Sequence, residues 1–163
     1  MLALISQAGP EEPPRRIVDV GCGTVRLLRA VSERWPEAVL LGVDPAEHMI
    51  AQAARLNPSI TFKVAVAESL PFPDQNADLI LSSVSFHHWG DKEQGLREVA
   101  RVLVPGGWLC LADHTFPSFQ GGKSMSRRGL WVLISRVGLD VRQHSRARFI
   151  LITLAQKREA TTT

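Results

Sequence analysis

The chain has 163 residues, a formal net charge of +3 at pH 7 and an apolar content of 45%, which fits one globular domain and excludes a disordered chain. No apolar run is long enough to span a bilayer, and the first residues lack the basic segment and the length of a signal peptide, so we expect no membrane insertion. The two cysteines are isolated in the sequence, which argues against a disulfide framework or a metal site and indicates a reducing, cytoplasmic setting.

The first elements alternate between helical and apolar strand patterns. Residues 1–8 predict a short helix, and the proline-rich linker 9–14 separates it from a buried strand over 17–20. The helix predicted over 24–34 carries leucine and valine side chains at helical spacing, and we expect these side chains to face inward.

A second buried strand, predicted over 39–43, ends at a possible capping box. Asp44 can cap the next helix, Pro45 suits its first position, and Glu47 completes the box. The pattern therefore predicts a helix that begins here, with a third strand over 60–66 after it.

The fourth strand is predicted over 78–84, and Asp91 is placed to cap the helix that follows it. Residues 105–107, Pro-Gly-Gly, are expected to end that helix sharply, because proline and glycine disfavour helix. The fifth strand is predicted directly after this turn, over 108–112.

The C-terminal part predicts a helix over 124–137 and a hairpin of two strands, 141–143 and 149–154. Five strands that alternate with helices predict a parallel sheet with right-handed crossovers, and the hairpin adds an antiparallel strand at or near one edge. The predicted fold class is therefore α/β, a Rossmann-like, doubly wound and mostly parallel sheet of about seven strands.

The first strand runs directly into the glycine turn 21–23 and then into a helix. Glycines let a ligand approach the backbone, and the first helical turn offers unpaired N–H groups and the positive end of a dipole. Asp44, at the end of the second strand, is placed to accept hydrogen bonds from ribose hydroxyls, with the helix cap as its structural alternative. A nicotinamide or flavin fingerprint requires a third glycine where Arg26 stands, which makes a nicotinamide enzyme unlikely.

The glycine turn is one of five motifs that occur in a fixed order. The motifs lie at 18–24, 42–45, 67–74, 78–83 (followed by His87-His88) and 101–107. Together they resemble the class I S-adenosylmethionine-dependent methyltransferases, specifically the small-molecule group that includes the ubiquinone and menaquinone biosynthesis type. We expect one domain, 1–163, made of an N-terminal segment and linker (1–14), a cofactor-binding core (15–115), a C-terminal helix and hairpin (116–158) and a tail (159–163).

The resemblance implies S-adenosylmethionine as cofactor and assigns part of its site to the glycine turn. Asp19 and the backbone of Gly21, Cys22 and Gly23 would hold the methionine part, and Asp44 would bind the ribose. The alternative for Asp19 is a carboxylate that fixes the loop through backbone donors, which would support binding indirectly.

The adenine would be held by two further pairs of residues. Pro45 and Met49 would pack near the ring, and Ala67 and Glu68 would flank its edge. For Met49, a core position on a helix face is the slightly stronger alternative.

The remaining implied residues surround the methyl group. Ser82 and Ser83 would line the floor below the sulfonium, whose methyl is already activated, so that positioning supplies much of the catalysis. An oxygen or nitrogen acceptor must also lose a proton, and His87, His88 and His114 are candidate bases because histidine titrates near neutrality. The alternative for each histidine is a polar residue near a strand end that has no catalytic role.

The sequence departs from the family pattern at two positions that directly adjoin the motifs. Val25 stands where the family usually has a third glycine, and a β-branched residue is poorly tolerated if that position has positive φ. Val66 stands where an aspartate often accepts from the adenine amine. Both changes predict weaker cofactor binding, and the short N-terminal segment predicts a reduced lid over the substrate.

Charge is unevenly distributed, since residues 1–113 carry 10 Lys and Arg against 14 Asp and Glu, and residues 114–163 carry 9 against 2. A solvated basic face is the simpler explanation, and an anionic partner or substrate is the alternative. A nucleic-acid substrate is unlikely, because 82–85 does not match the motif of amino-group methyltransferases and neither cysteine is placed as a nucleophile. We therefore expect a small-molecule acceptor, and the basic C-terminal third would suit an anionic or carrier-bound one.

The competing hypothesis is a degenerate module of the same fold that binds a protein partner. Val25, Val66 and the short N-terminal segment motivate it, whereas the intact carboxylates and glycines of the motifs argue against it. An exposed apolar patch near residues 1–5 would favour such a partner, or a homodimer that supplies the lid.

Overall fold

The computed structural model describes residues 1–114 and 126–159. The helices are α1 (Leu2–Ala8), α2 (Arg26–Arg34), α3 (Glu47–Leu56), α4 (Lys92–Val102) and α5 (Arg127–Arg136). The strands are β1 (Arg16–Val20), β2 (Val39–Asp44), β3 (Thr61–Val64), β4 (Ala77–Ser83), β5 (Leu103–His114), β6 (Leu139–Ala147) and β7 (Ile150–Lys157). Within these described parts, no helix has the length and apolar character needed to cross a membrane.

All seven strands form one sheet in the order β3-β2-β1-β4-β5-β7-β6. The first five strands pair in parallel, and β7 pairs antiparallel with both β5 and β6. The predicted α/β class and the antiparallel C-terminal hairpin are confirmed. The strand order reverses between β1 and β4. In open α/β sheets, ligands bind at such a reversal, beyond the carboxyl ends of the strands.

The sheet separates two apolar layers, because neighbouring residues on a buried strand point to opposite faces. Ile17 packs with α1, α2 and α3 on one face, and Val18 packs with α4 and α5 on the other. In α1, Leu4 and Ile5 are buried. The first five residues therefore do not form the exposed apolar patch that would have favoured a partner or a homodimer.

The start of α4 and the buried face of α5 follow the sequence signals. Asp91 caps α4, since its carboxylate accepts from the N–H groups of Glu93 and Gln94. Leu130 and Ile134 of α5 are buried as their spacing predicts. The predicted start of α5 at 124, the segment boundary at 115/116 and most of the predicted tail lie outside the described residues.

Two other predicted helix starts are wrong. Helix α2 begins at Arg26 rather than at 24, because Val25 has a left-handed backbone conformation that a helix cannot include. Helix α3 begins at Glu47 after Ala46, without a side-chain cap. The capping box is not formed, because Asp44 lies two residues before the helix cap and its carboxylate accepts from other backbone groups.

The helix before Pro-Gly-Gly ends as expected, but the predicted start of the fifth strand at 108 is wrong. Helix α4 ends at Val102, and residues 103–107 belong to β5. Ala77 pairs with Leu103 and Leu79 pairs with Trp108, so the turn is absorbed as a bulge in the ladder.

Candidate active site

A cavity of about 740 Å³ opens at the carboxyl ends of β1, β2 and β4, where the strand order reverses. Its volume lies within the range of small-ligand sites. It brings together predicted residues that are far apart in sequence. The lining residues are Asp19, Gly21, Cys22, Gly23, Thr24, Arg26, Leu27, Ala30, Asp44, Pro45, Met49, Ser83, Val84, Ser85 and His88.

Asp19, the fourth residue of β1, lines this cavity with a carboxylate that is 2% exposed. Its Oδ1 atom has no hydrogen-bond partner among the described residues. Burial, reinforced by the charge of Asp44, raises the pKa of this carboxyl to about 7. A buried, unsatisfied acceptor next to a cavity is a costly arrangement that a cationic or donor group of a ligand would relieve.

The turn after β1 has the close packing that requires glycine. Gly21 has φ of 76°, and a Cβ atom built on it would lie 1.8 Å from the Oγ atom of Ser85. Gly23 also has positive φ. Burial raises the pKa of the Cys22 thiol between them to about 12, with a smaller contribution from the two aspartates. Cys22 is therefore a protonated thiol and not a nucleophile at neutral pH.

Asp44 joins the end of β2 to the glycine turn. Its Oδ2 atom accepts from the N–H group of Gly23 at 3.0 Å, and its Oδ1 atom accepts from Ala46 at 2.9 Å. A carboxylate has further lone pairs beyond these two bonds, so Asp44 can also accept from a ligand hydroxyl. Pro45 and Met49 continue the same wall.

Two valines near the cavity have left-handed backbone conformations, which are outliers for β-branched residues. Val25 has φ of 68° and Val84 has φ of 55°. Val25 therefore has the positive φ that is poorly tolerated by a β-branched residue. Its side chain is buried in the core and does not line the cavity, whereas Val84 does.

Of the predicted site residues, Ala67, Glu68, Ser82, His87 and His114 do not line the cavity. Ala67 is buried in the core, and Glu68 accepts at Oε1 from the N–H group of Asp91 at the start of α4. Ser82 is fully buried, and its Oγ atom has no partner in the described part of the chain.

His87 and His88 have different surroundings, although they are adjacent in sequence. His88 lines the cavity. The Nδ1 atom of His87 lies 2.8 Å from Oδ1 of Asp113, and the two histidine rings are 3.9 Å apart between centroids. An ionised carboxylate only accepts, so Nδ1 carries the proton and Nε2 is left as an acceptor. The ring of His114 is 5.8 Å from that of His87.

Several residues of the site were not predicted. Thr24 lines the cavity just before α2, and Leu27 and Ala30 line it from the first turns of α2. Their spacing after the glycine turn is the signal that could have identified them. Asp113 directly follows the predicted fifth strand, and its pairing with His87 joins residues 26 positions apart. Only the register of β4 and β5 places them together.

A family model described as a methyltransferase domain matches residues 18–111. Demethylmenaquinone methyltransferase of Thermus thermophilus is 37% identical over 111 residues, which cover 66% of this chain and 50% of that protein. The chloroplastic 2-methyl-6-phytyl-1,4-hydroquinone methyltransferase of Arabidopsis thaliana is 31% identical over 134 residues, which cover 81% of this chain and 39% of that protein. The chain thus matches half or less of the length of these relatives.

The structure of the YcgJ protein from Bacillus subtilis superposes with a TM-score of 0.79 at 21% identity, covering 97% of both chains. This likeness confirms the fold. The family model covers more than half of this chain, and the chain therefore belongs to the methyltransferase-domain family.

Proposed function

We propose that the cavity binds S-adenosylmethionine and that the chain catalyses transfer of its methyl group to a small-molecule acceptor. The observation that carries this proposal is the buried Asp19 carboxylate, which has an unpartnered oxygen on the wall of a cavity in a methyltransferase-family fold. A degenerate binding module has no comparable support, because neither the comparisons nor the N-terminal segment favours it.

The polar groups of the cavity fit the charges of the cofactor. Asp19 would take the ammonium group of the methionine part, which would stabilise the ionised carboxylate. Arg26 lines the cavity and has no carboxylate partner within the described residues, so its guanidinium is available to the methionine carboxylate. Asp44 would accept from the ribose hydroxyls, and Met49 would lie beside the adenine.

When bound, S-adenosylmethionine supplies a methyl group that is activated by the sulfonium. His88, on the cavity wall, would accept the proton that the acceptor loses. His87 is a positioning residue in this account, because Asp113 fixes its ring and its ring packs on His88. Ser83 would form the part of the cavity wall beside His88.

The names of the two curated relatives suggest the first acceptors to test, since both describe methyl transfer to quinone-type rings. We infer that a phenolic or hydroquinone ring is the acceptor, because loss of its hydroxyl proton to a nearby base makes the ring a better nucleophile. A cytoplasmic setting is part of the proposal and is supported by two free, buried cysteines among the described residues. The homodimer stays a prediction.

The test is an incubation with methyl-labelled S-adenosylmethionine and a short-chain demethylmenaquinol, with unrelated phenols and amines in parallel. We expect label in the organic extract and an equal amount of S-adenosylhomocysteine, both lost in His88→Ala. Label recovered with protein or nucleic acid instead, or product formation that His88→Ala leaves unchanged, would contradict the proposal.

A further inference from the structure

A second cavity, of about 630 Å³, lies between the first half of α5 and the edge strand β6. It shares no lining residue with the candidate active site. Three of its seven lining residues are arginines, and none is acidic. The lining residues are Arg127, Arg128, Trp131, Val141, Arg142, Gln143 and His144.

The three arginines have no carboxylate partner in the described parts of the chain. Only two acidic residues follow position 113 in the sequence, Asp140 and Glu159. Asp140 binds Arg158, and Arg136 at the end of α5 lies 4.0 Å from Glu93. The guanidinium groups near the end of α5 and after β7 are therefore neutralised, whereas those of the cavity are not.

Arg127 and Arg128 lie at the start of α5, and Arg142 of β6 donates from Nε to Oε1 of Gln156 at 3.1 Å. Arg136 lies nine residues after Arg127 on α5, which corresponds to about 13 Å along the helix axis. The chain passes from the end of α5 into β6 at Leu139, which pairs with Lys157 at the end of β7. The start of α5 therefore lies toward the opposite end of the sheet, where the parallel strands have their carboxyl ends and the candidate active site opens.

The other walls add an aromatic plane and a neutral imidazole. Trp131 is 54% exposed, which is unusual for so large an apolar side chain. The Nδ1 atom of His144 is 3.0 Å from Oγ1 of Thr153. Burial and the charge of Arg127 lower the pKa of His144, so its ring is neutral at pH 7 and can donate or accept a hydrogen bond.

We infer that this α5–β6 cavity binds a phosphate ester and holds the anionic end of the methyl acceptor. The second part rests on the proposed function. Several guanidinium forks around one space match the geometry and charge of a phosphate, and the indole can stack on a flat group attached to it. The cavity and its aromatic wall distinguish it from a solvated basic face, on which arginines point separately into water.

The distance between the two sites suits an elongated acceptor. Leu111 of β5 pairs with Thr153 of β7, which pairs with His144 on the cavity wall, so one strand separates β5 from the edge strand. Two strand spacings correspond to about 10 Å. An acceptor with its phosphate at the α5–β6 cavity and its reacting atom near His88 is therefore longer than a single ring.

The test is a titration of the whole chain with inorganic pyrophosphate, followed by tryptophan fluorescence and calorimetry. We expect saturable binding to one site, with a fluorescence change that is absent in Trp131→Phe. The double variant Arg127→Ala, Arg128→Ala should weaken this binding by about tenfold or more, and Arg136→Ala, on the same helix but outside the cavity, should leave it unchanged.

An equal loss in Arg136→Ala, or no saturable binding by the folded wild type, would overturn the inference. Tighter binding of a thymidine oligonucleotide than of pyrophosphate, lost in the same double variant, would also overturn it in favour of a nucleic-acid site. A titration with S-adenosylhomocysteine separates the two proposals, because the double variant should bind it like the wild type. If the wild type binds pyrophosphate but not S-adenosylhomocysteine, the proposed function fails while the phosphate site stands.

Discussion

At Asp19, burial and the charge of Asp44 raise the pKa of the carboxyl from 3.8 to about 7. Between these values the folded chain keeps a proton that the unfolded chain has lost. The stability contributed by this proton is complete below pH 3.8 and is lost as pH rises through about 7. At higher pH the folded protein without a ligand therefore has a buried, unpaired charge.

Asp19→Asn should remove this cost and the ligand contact together. We expect the free energy of unfolding to rise by about 1–3 kcal/mol above pH 7, because the new amide donors offset part of the gain from removing the charge. The variant should lose most of its affinity for S-adenosylhomocysteine. Chemical denaturation as a function of pH checks the first effect, with Asp140→Asn, a partly exposed carboxylate paired with Arg158, as the control. A variant less stable than the wild type above pH 7 would contradict this account.

Val25 has two opposing effects on the free energy of unfolding. Its left-handed backbone costs about 1–2 kcal/mol, but burial of its side chain contributes about 1.5–3 kcal/mol, and a glycine would add flexibility to the unfolded chain. We therefore expect Val25→Gly to lower the free energy of unfolding by about 1 kcal/mol.

The same variant should leave the affinity for S-adenosylhomocysteine nearly unchanged, because the valine side chain does not line the cavity. Thermal unfolding and calorimetry on one preparation measure both effects. A large gain in affinity for Val25→Gly would show instead that the valine closes the site, as the sequence alone suggested.

The two adjacent histidines should respond differently to substitution. We expect His88→Ala to lower kcat by about 100-fold, since a general base contributes at least that much, while changing the affinity for S-adenosylhomocysteine far less. Asp113→Asn should lower kcat and change its pH profile, because the ring of His87 would lose its fixed orientation. The control is His48→Ala, on the exposed face of α3. A pH profile that is unaltered in Asp113→Asn would contradict the positioning role.

At the scale of the elements, Arg101 connects α4 to the loop before β4. Its guanidinium donates to the carbonyl groups of Phe72 at 2.8 Å and Leu70 at 3.0 Å, and it also binds Asp74 and Glu98. The hydrogen bond from Arg101 lowers the pKa of Glu98. The stability that Glu98 contributes is therefore present above its ordinary pKa and is lost as pH falls through the lowered value.

Arg101→Ala should lower the free energy of unfolding by about 2–3 kcal/mol, because it leaves two carbonyl groups and a carboxylate without their partner. Arg101→Lys should not restore the stability, since an ammonium group cannot reproduce the planar fork. Arg97→Ala, on the same helix, removes only an exposed pair with Glu93 and should cost less than about 0.5 kcal/mol. Equal effects of Arg97→Ala and Arg101→Ala on urea denaturation would contradict the connecting role of Arg101.

The elements could be predicted where the signal is local. Asp91 caps α4 through N–H groups two and three residues away, and the apolar spacing of α5 matches its buried face. The errors arose where a distant contact decides the conformation. The carboxylate of Asp44 accepts from Gly23 instead of capping α3. Leu103 pairs with Ala77, so that 104–107 form a bulge in β5 instead of a free turn.

At the scale of the whole molecule, the fold class could be predicted from the sequence, but the order of the strands in the sheet could not. The resemblance identified the residues of the cavity that lie in motifs, because these follow strands whose carboxyl ends meet at one edge of a parallel sheet. The His87–Asp113 pair depends on the register of β4 and β5, and the α5–β6 cavity depends on the placement of β6 beside β7, which no local pattern specifies. The charge asymmetry suggested an anionic ligand, but the position of its binding site could be identified only from the folded structure.

The most direct test of the central claim is a calorimetric titration with S-adenosylhomocysteine on the wild type, Asp44→Asn and Asp140→Asn. We predict one-site binding by the wild type and by Asp140→Asn, and a loss of at least about tenfold in Asp44→Asn, whose amide accepts fewer hydrogen bonds from the ribose. Thermal unfolding should show that all three proteins are folded. No binding by a folded wild type, or equal binding by Asp44→Asn, would contradict the assignment of this cavity to the cofactor.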